Sequence, residues 1–376
     1  MDLVFIKEEY FSDPLLLKSG LKIFNYKLVY ETYGKLNLDK SNVILICHAL
    51  NASHHVTGKY KKNIEYSGWW NNMVGPNKTI NTNIFFIICI NNIGSCFGST
   101  GPMNINFKTG YLYGSNFPIL TIEDWVNSQF FLMKKLKIKK IFNVIGASLG
   151  GMQVLCWNLI YPNFSKNYII IASTLKLSAQ NISFNSITRQ SINFDYYFFN
   201  GDFYYYGLIP KNSLCISRMI AHNTYISSFD MSKKFNRKLQ FENVCFNFDM
   251  DFKVESYLYY QGEKFSNYFD TNTYLLITKL LDYFDMDKKI KKKNKKKNFL
   301  IISFNTDWRF PLKHNKKIIN LLIKSKMNIY FIKINSLYGH DAFLKYNYNY
   351  MQVINFFLKR NYKNIFLKKY NIYNNI

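Results

Sequence analysis

The residue of this chain best placed for covalent chemistry is a serine in a tight, glycine-rich turn. The stretch IFNVIGASLGGMQVLCWNLIYP, residues 141–162, reads as a strand, a turn that contains Ser148, and an apolar helix that stops at Pro162. The turn matches the G-x-S-x-G pattern, in which a strained strand-to-helix connection exposes a serine nucleophile. The N–H groups of the following helix would stabilise negative charge there. A turn that serves only close packing would have the same residues, so the pattern needs partners.

An acid and a base follow in the order that such a serine requires. The strand FLIISFN runs into Asp307, and the strand NIYFIKIN precedes the loop SLYGHDAF, which contains His340. Active sites of open α/β sheets lie at the carboxyl ends of the strands, where both residues fall. We therefore predict that Ser148 is the nucleophile and His340 the general acid and base. Asp307 would orient the imidazole and stabilise its charge.

Two backbone N–H groups are needed to hold the oxyanion of the reaction. One should belong to Leu149, directly after the nucleophile. The other should come from the loop after an early strand, and ILICHALNAS supplies it through Leu50. A purely structural role of the Leu50 side chain in the core fits the same residue, because this function uses only the backbone.

Strand and helix patterns alternate around these residues. FNYKLVYETYG, NVILICHAL and NIFFIICIN are typical of strands, and TIEDWVNSQFFLMKKLKI is typical of a helix. Thr121 is the predicted N-cap of that helix, and Asp124 completes a capping box. This alternation indicates a mostly parallel, doubly wound sheet.

The predicted secondary structure of the chain changes between residues 175 and 294. Aromatic-rich helical segments such as NSLCISRMIAHNTYISSF and TNTYLLITKLLDYF replace the strands, and the strand–helix rhythm resumes afterwards. We predict a core formed by residues 1–174 and 295–376, with a helical lid inserted over 175–294. The lid ends in the Lys-rich run DKKIKKKNKKKNF at 287–299, which we predict to be a solvated loop.

Composition excludes several other classes of protein. The net charge of +26 comes from lysines that are mixed with Asn, Ile, Tyr and Phe throughout, which indicates compositional bias rather than a nucleic-acid-binding surface. The longest apolar runs, VILIC and IFFIICI, are far shorter than the ~20 residues that span a bilayer. The N-terminal residues lack a signal-peptide pattern. We expect a soluble, cytoplasmic protein with neither nucleic acid nor membrane as a partner.

The cysteines and histidines do not predict a metal site. The six cysteines have no C-x-x-C spacing, and Cys47, Cys89 and Cys156 lie in apolar runs that favour reduced, buried thiols. The His54-His55 pair has no third ligand nearby in the sequence. We therefore expect neither a metal nor any other cofactor.

Longer segments resemble the homoserine O-acyltransferases of the α/β-hydrolase superfamily, the enzymes that open methionine biosynthesis. The matching segments span about residues 25–345, and they include CHALNAS, NNIGSCFGSTGPMNIN, GASLGGMQVLCW, SRMIAHNTYIS, VESYLYYQGEKFSNYFDTNTYLLITKLLDYFD, SFNTDWRFP and YGHDAF. The resemblance implies an α/β-hydrolase fold, that is, a sheet core with a helical lid, and a homodimer formed through the lid. It places the catalytic triad on the three residues chosen above. The turn departs mildly from the family, with Ala147 and Leu149 where relatives often have Gly and Met.

The resemblance also implies two substrate-binding residues. Arg218, in SRMIAH, would pair the carboxylate of L-homoserine, and Asp341, directly after the catalytic histidine, would pair its ammonium group. Without the resemblance, a surface salt bridge would be the simpler interpretation of either residue.

The acyl donor depends on one further residue. Members of this family use acetyl-CoA or succinyl-CoA, which differ in one terminal carboxylate that is costly to bury without a partner. Arg309, in TDWRFP, matches a position at which the succinyl users of the family resemble one another in having an arginine. The alternative is that its side chain points to solvent and has no part in donor selection. We predict a ping-pong transfer of succinyl from the co-substrate succinyl-CoA to the homoserine hydroxyl. The alternatives are a homoserine O-acetyltransferase, a serine esterase, and a non-enzymatic protein whose basic surface binds nucleic acid or membrane.

Overall fold

The core of the protein is an eight-stranded sheet. The computed structural model describes residues 3–61, 67–287 and 296–373, with side chains as far as residue 363. The strands of the sheet are β1 (Lys7–Phe11), β2 (Tyr26–Tyr33), β3 (Val43–Cys47), β4 (Phe86–Ile90), β5 (Ile141–Ala147), β6 (Ser165–Ile171), β7 (Asn298–Phe304) and β8 (Asn328–Ile334). Their spatial order is β1-β2-β4-β3-β5-β6-β7-β8.

The sheet is mostly parallel, as the sequence predicts. β2 runs antiparallel to both β1 and β4, and every pair from β4 to β8 is parallel. Parallel strands need crossover connections, and helices supply them. The carboxyl ends of β3, β5, β7 and β8 therefore lie at one edge of the sheet, and the predicted site residues follow these ends.

Both faces of the sheet are covered, which explains the continuous apolar runs. In β3, Val43 and Leu45 belong to one core cluster, and Ile44 and Ile46 belong to the other. Side chains alternate across a strand, so a strand that is buried on both faces must be apolar at every position.

The helices either flank the sheet or form the lid. They are α1 (Ile122–Lys135), α2 (Leu149–Ile160), α3 (Ala179–Asn193), α4 (Lys211–Asn223), α5 (Ser228–Lys234), α6 (Lys253–Ser266), α7 (Thr271–Tyr283), α8 (Leu312–Lys324) and α9 (Tyr348–Tyr373). The capping box of α1 is confirmed: Thr121 accepts the N–H of Asp124, and the Asp124 carboxylate accepts the N–H of Thr121. None of the helices in the described ranges is long and apolar enough to cross a membrane.

The helices α3–α7 form the lid, and the two ends of this segment meet. The N–H of Met286 donates to the carbonyl of Leu175 at 3.0 Å. Lys176 forms an isolated antiparallel bridge with Asp285, and its ammonium group lies 2.7 Å from the carboxylate of Asp287. The chain therefore leaves the core and returns to it at the same place.

The prediction that the Lys-rich run is a solvated loop is wrong at the C-terminal end of the run. Residues 288–295 lie outside the described ranges, but Lys297 is only 4% exposed. Its ammonium group donates to the carbonyls of Pro162 and Ser165, where β6 begins. A buried ammonium needs such acceptors, and the carbonyls offer them only in the folded chain.

Candidate active site

Ser148 occupies a strained turn between β5 and α2. Its φ and ψ are 55° and −121°, a backbone conformation that residues with a side chain rarely adopt. A Cβ atom on Gly146 would lie 2.3 Å from the backbone of Gly150, and one on Gly150 would lie 2.1 Å from the carbonyl oxygen of Cys47. The glycines of the G-x-S-x-G turn are therefore needed for the close approach of the strand and the helix.

The three residues of the predicted triad form one hydrogen-bonded chain. Ser148 Oγ lies 2.8 Å from His340 Nε2, and His340 Nδ1 lies 2.8 Å from Asp307 Oδ2. Asp307 follows β7 and His340 follows β8, so the parallel strands bring together residues that are far apart in the sequence. Asp307 Oδ1 accepts the N–H of Phe310 at 2.9 Å, which fixes the carboxylate plane. This geometry can move a proton from the serine hydroxyl to the imidazole.

Tyr225, in the segment between α4 and α5, contacts the loop of His340 through its backbone. The carbonyl of Tyr225 accepts the N–H groups of His340, at 2.8 Å, and of Asp341, at 3.2 Å. Gly339 has a φ of 64°, and a Cβ there would lie 2.6 Å from the same carbonyl oxygen. Tyr225 was not among the predicted residues, since no local pattern indicates that its carbonyl meets a loop more than 100 residues later.

Both predicted oxyanion donors lie at the serine. Leu149 is the first residue of α2, so its N–H has no acceptor within the helix. Leu50 lines a cleft of about 100 Å³ together with Ser148, His340 and Asp341. Neither N–H has a hydrogen-bond acceptor among the residues that the structure describes. Both are therefore free to bind an oxyanion.

Arg218 is half-buried on α4, and much of its hydrogen-bonding capacity is unused. Its Nη2 lies 3.4 Å from His222 Nδ1, whereas Nε and Nη1 have no partner among the described residues. The guanidinium group packs over the rings of Tyr225 and Phe265. Burial, with the Arg218 charge as the next cause, lowers the pKa of His222 to about 3, so this histidine is neutral at neutral pH. A guanidinium with unsatisfied donors is suited to bind a carboxylate.

Asp341 faces the same cleft as the nucleophile. Burial raises the pKa of its carboxyl group, and the nearby charge of Arg218 opposes that shift. No ion pair within 4.0 Å joins Asp341 to a cation of the described chain. An ammonium group that entered the cleft would supply the missing charge.

Arg309 does not point to solvent. It is 6% exposed, its Nη1 donates to Thr224 Oγ1 at 2.7 Å, and its guanidinium lies 5.1 Å from the centre of the Tyr225 ring. It lines a cavity of about 10 Å³ that shares Leu50 and Tyr225 with the Ser148 cleft. Within the described ranges no carboxylate pairs with it. The guanidinium is thus a buried cation close to Leu50 and Tyr225, which also line the Ser148 cleft.

The His54-His55 pair contacts a buried carboxylate, that of Glu31. His55 Nδ1 lies 3.1 Å from Glu31 Oε2, and His54 Nε2 lies 3.6 Å from Glu31 Oε1. The hydroxyl groups of Tyr33 and Tyr60 also donate to Glu31. The described residues contain no group of His, Cys, Asp and Glu that could hold a metal ion. Cys47, Cys89 and Cys156 are buried cysteines, as predicted.

Comparisons with known proteins identify the family to which this chain belongs. A family profile for the α/β hydrolase fold matches residues 42–344. The homoserine O-succinyltransferase of Janthinobacterium sp. (strain Marseille) is 49% identical over 362 residues, which cover 95% of this chain and 94% of the relative. The homoserine O-succinyltransferase of Cupriavidus taiwanensis is 50% identical over 341 residues, which cover 89% of this chain and 87% of the relative.

Solved structures give a similar result at lower identity. A homoserine O-acetyltransferase from Bacillus anthracis superposes with a TM-score of 0.88 at 25% identity, covering 95% of this chain and 98% of that chain. Esterase E22 superposes with a TM-score of 0.86 at 26% identity, covering 95% of this chain and 100% of that chain. Acyl transfer and ester hydrolysis thus occur on closely similar backbones, and side chains must separate the two activities.

Proposed function

The chain belongs to the homoserine O-succinyltransferase family of the α/β-hydrolase fold, and from this premise we propose that it transfers succinyl from succinyl-CoA to the hydroxyl group of L-homoserine. One observation carries the proposal. The hydrogen-bonded chain from Ser148 through His340 to Asp307 opens into a cleft that has Asp341 on its wall. The guanidinium of Arg218, whose Nε and Nη1 have no partner among the described residues, packs on Tyr225, which lines the same cleft. A simple esterase does not require these two charges, whereas a zwitterionic amino-acid acceptor does.

The first half-reaction acylates the serine. His340 Nε2 takes the proton of Ser148 Oγ as the oxygen attacks the thioester carbonyl, and the N–H groups of Leu50 and Leu149 bind the oxyanion. The imidazolium, stabilised by the Asp307 carboxylate, returns the proton to the departing thiolate. The carbon–sulfur bond breaks, CoA leaves as the thiol, and a succinyl-serine remains.

The second half-reaction transfers the acyl group to homoserine. Arg218 binds the carboxylate of homoserine and Asp341 binds its ammonium group, which directs the side-chain hydroxyl toward the acyl-serine. His340 takes the proton of that hydroxyl during attack and returns it to Ser148 Oγ. The reaction needs no metal or other cofactor, because the thioester supplies the driving force and the triad moves the protons.

Arg309 would select the acyl donor. The succinyl chain ends in a carboxylate, and burying this carboxylate without a counter-charge is costly. Arg309 is buried, has no carboxylate partner in the described chain, and lies behind Leu50 and Tyr225, the residues that line both its own cavity and the Ser148 cleft. A succinyl carboxylate that reaches it gains a charge-assisted hydrogen bond, whereas an acetyl group gains nothing.

The direct test measures CoA release by the purified protein with each acyl-CoA, in the presence and in the absence of homoserine. Succinyl-CoA with homoserine should give the highest kcat/KM. Faster reaction with acetyl-CoA would instead indicate a homoserine O-acetyltransferase. Release that does not depend on homoserine would indicate a hydrolase.

Replacing Arg309 with leucine should reverse the donor preference. Truncating one partner of a buried charge pair costs several kcal/mol, so kcat/KM for succinyl-CoA should fall by about 100-fold or more. The value for acetyl-CoA should change by only a few-fold. The matched control is Arg237→Leu, which removes an exposed lid arginine and should leave both values unchanged. An unchanged ratio of the two values in Arg309→Leu would contradict the role of Arg309.

We also propose that two copies associate through the lid, in the cytoplasm. The segment between α5 and α6 exposes Phe241, Phe246 and Phe248, and Phe248 is fully exposed. Apolar side chains clustered on one exposed segment are typical of an interaction surface. Sedimentation velocity should give the mass of a dimer for the wild-type chain and of a monomer for Phe246→Ser/Phe248→Ser. A wild-type monomer at micromolar concentration would contradict the dimer.

A further inference from the structure

A buried histidine outside the triad contacts the peptide that carries one oxyanion donor. His48 directly follows β3 and is 3% exposed. Its Nδ1 lies 2.9 Å from the carbonyl oxygen of Ala49, and its Nε2 accepts the backbone N–H of Asn92 at 3.3 Å. The mechanism above does not use this side chain.

The two partners of the ring fix its tautomer. A carbonyl oxygen can only accept, so Nδ1 must carry the hydrogen that is donated to Ala49. A backbone N–H can only donate, so Nε2 must present its lone pair to Asn92. The ring is therefore neutral, and burial lowers the pKa of His48 to about 4, which keeps it neutral throughout the physiological range.

The hydrogen bond from His48 sets the direction of the Leu50 N–H. The carbonyl of Ala49 and the N–H of Leu50 belong to one planar trans peptide, in which they point in opposite directions. The Ala49 oxygen also accepts the N–H of Ala52 at 3.1 Å, so both of its lone pairs are used. The Leu50 N–H points away from this held oxygen and has no acceptor among the described residues, so it is available to the cleft that Leu50 and Ser148 line together.

A second set of contacts connects His48 to α2, the helix that follows Ser148. Gln153 on α2 donates through Nε2 to the carbonyl of His48 at 3.1 Å, and Gln129 on α1 donates to Gln153 Oε1 at 2.7 Å. Gln129 also donates to the side chain of Asn92 at 2.8 Å. Since α2 begins at Leu149, the same network fixes the two oxyanion donors relative to each other.

We propose that His48 is a positioning residue for the oxyanion hole: through its Nδ1–H it holds the Ala49–Leu50 peptide with the N–H toward the reacting carbonyl. The inference rests on the proposed function, in which Ser148 acylates and Leu50 binds the oxyanion. His48 does not touch substrate. Its removal should therefore weaken binding of the transition state and leave binding of the ground state intact.

Three substitutions of His48 distinguish the roles of its two ring nitrogens. In His48→Asn the amide nitrogen takes the position of Nδ1 and keeps the donor to Ala49. In His48→Gln the amide takes the position of Nε2, so the partner of Asn92 is kept and the donor to Ala49 is lost. His48→Leu loses both. We expect kcat for acyl transfer to fall by less than about tenfold in the Asn variant, and by about 100- to 1,000-fold in the other two.

A transition-state mimic distinguishes this role from a structural one. A trifluoromethyl ketone analogue of the succinyl thioester forms an anionic adduct on an activated serine, whereas CoA binds without forming an oxyanion. The Gln and Leu variants should bind the ketone about 100-fold more weakly and CoA as tightly as the wild type does. If His48→Leu does not fold, the comparison between Asn and Gln decides.

Two results would overturn the inference. One is a Gln variant that binds the ketone as tightly as the wild type, and the other is a loss of ketone affinity matched by an equal loss of CoA affinity. Failure of the proposed function has a different signature. A wild-type protein that neither transfers succinyl nor forms the adduct would refute the role of Ser148 itself.

Discussion

Replacing Ser148 with alanine is expected to lower kcat for succinyl transfer by at least about 10,000-fold. The substitution removes the only atom to which the mechanism attaches the acyl group. The fold should survive, because the backbone contacts of this residue remain: its N–H donates to Ile171, and its carbonyl accepts the hydroxyl of Ser173. An alanine has no greater steric conflict than a serine at the same φ of 55°.

The measurement is CoA release with succinyl-CoA and homoserine, accompanied by thermal unfolding. The matched control is Ser183→Ala, which removes an exposed hydroxyl from α3 and should leave both activity and unfolding temperature unchanged. An Ser148→Ala variant that keeps more than a tenth of the wild-type kcat would mean that another group accepts the acyl chain.

Replacing Asp307 with asparagine should lower kcat by about 1,000- to 10,000-fold, with little change in KM for homoserine. Asp307 Oδ1 accepts the N–H of Phe310, and this contact would hold the amide oxygen of the new residue in the same place. The amide nitrogen must then face His340 Nδ1, which can accept its hydrogen only in the tautomer that carries a proton on Nε2. That tautomer cannot take the proton of Ser148.

Kinetics of both half-reactions test this expectation. Acylation and transfer should slow together, because the same imidazole serves both steps. Normal kcat in Asp307→Asn would show that the carboxylate is only a structural partner of the loop at Phe310. A rise in KM for homoserine with normal kcat would instead move Asp307 into the acceptor-binding site.

Local patterns in the sequence sufficed to predict the tight turn at Ser148. Gly146 has to be a glycine for a steric reason that acts within five residues, because its Cβ would meet the backbone of Gly150. Gly150 has to be a glycine because its Cβ would meet the carbonyl oxygen of Cys47, on a distant part of the chain, so only the first of these requirements is local. The positions of Asp307 and His340 followed from a rule about strand ends, which depends on the order of elements and not on their detailed packing. For this reason the parallel sheet was also predictable, and the fold confirms it.

Contacts between distant segments could not be predicted in this way. Glu31 on β2 contacts His54 and His55, which follow β3, and nothing in the periodicity of β2 indicates a buried acid. The tautomer of His48 depends on the backbone of Asn92, which the sequence does not place. Nothing in the sequence distinguishes Lys297 from the other lysines of its run, yet its ammonium group donates to the carbonyls of Pro162 and Ser165. In each case the partner decides the role, and the partner comes from the tertiary fold.

The first strand of the sheet and the last helix of the chain were also not predicted. The strand β1 (Lys7–Phe11) is short, polar and exposed on one face, so it lacks the apolar run that marks the central strands. The helix α9 (Tyr348–Tyr373) is rich in Tyr, Asn and Lys, and its apolar residues do not form a clear stripe. Packing against β-sheet residues, rather than local preference, determines such elements.

The central claim is that Ser148 carries the succinyl group between CoA and homoserine. It is tested most directly by mixing the protein with succinyl-CoA alone, quenching rapidly, and mapping the acylated peptide by mass spectrometry. We expect one succinyl group on Ser148, formed with a burst of CoA, and its transfer to homoserine as O-succinylhomoserine when the amino acid is added. A succinyl group on another residue, or one that is released only to water in the presence of homoserine, would contradict this account.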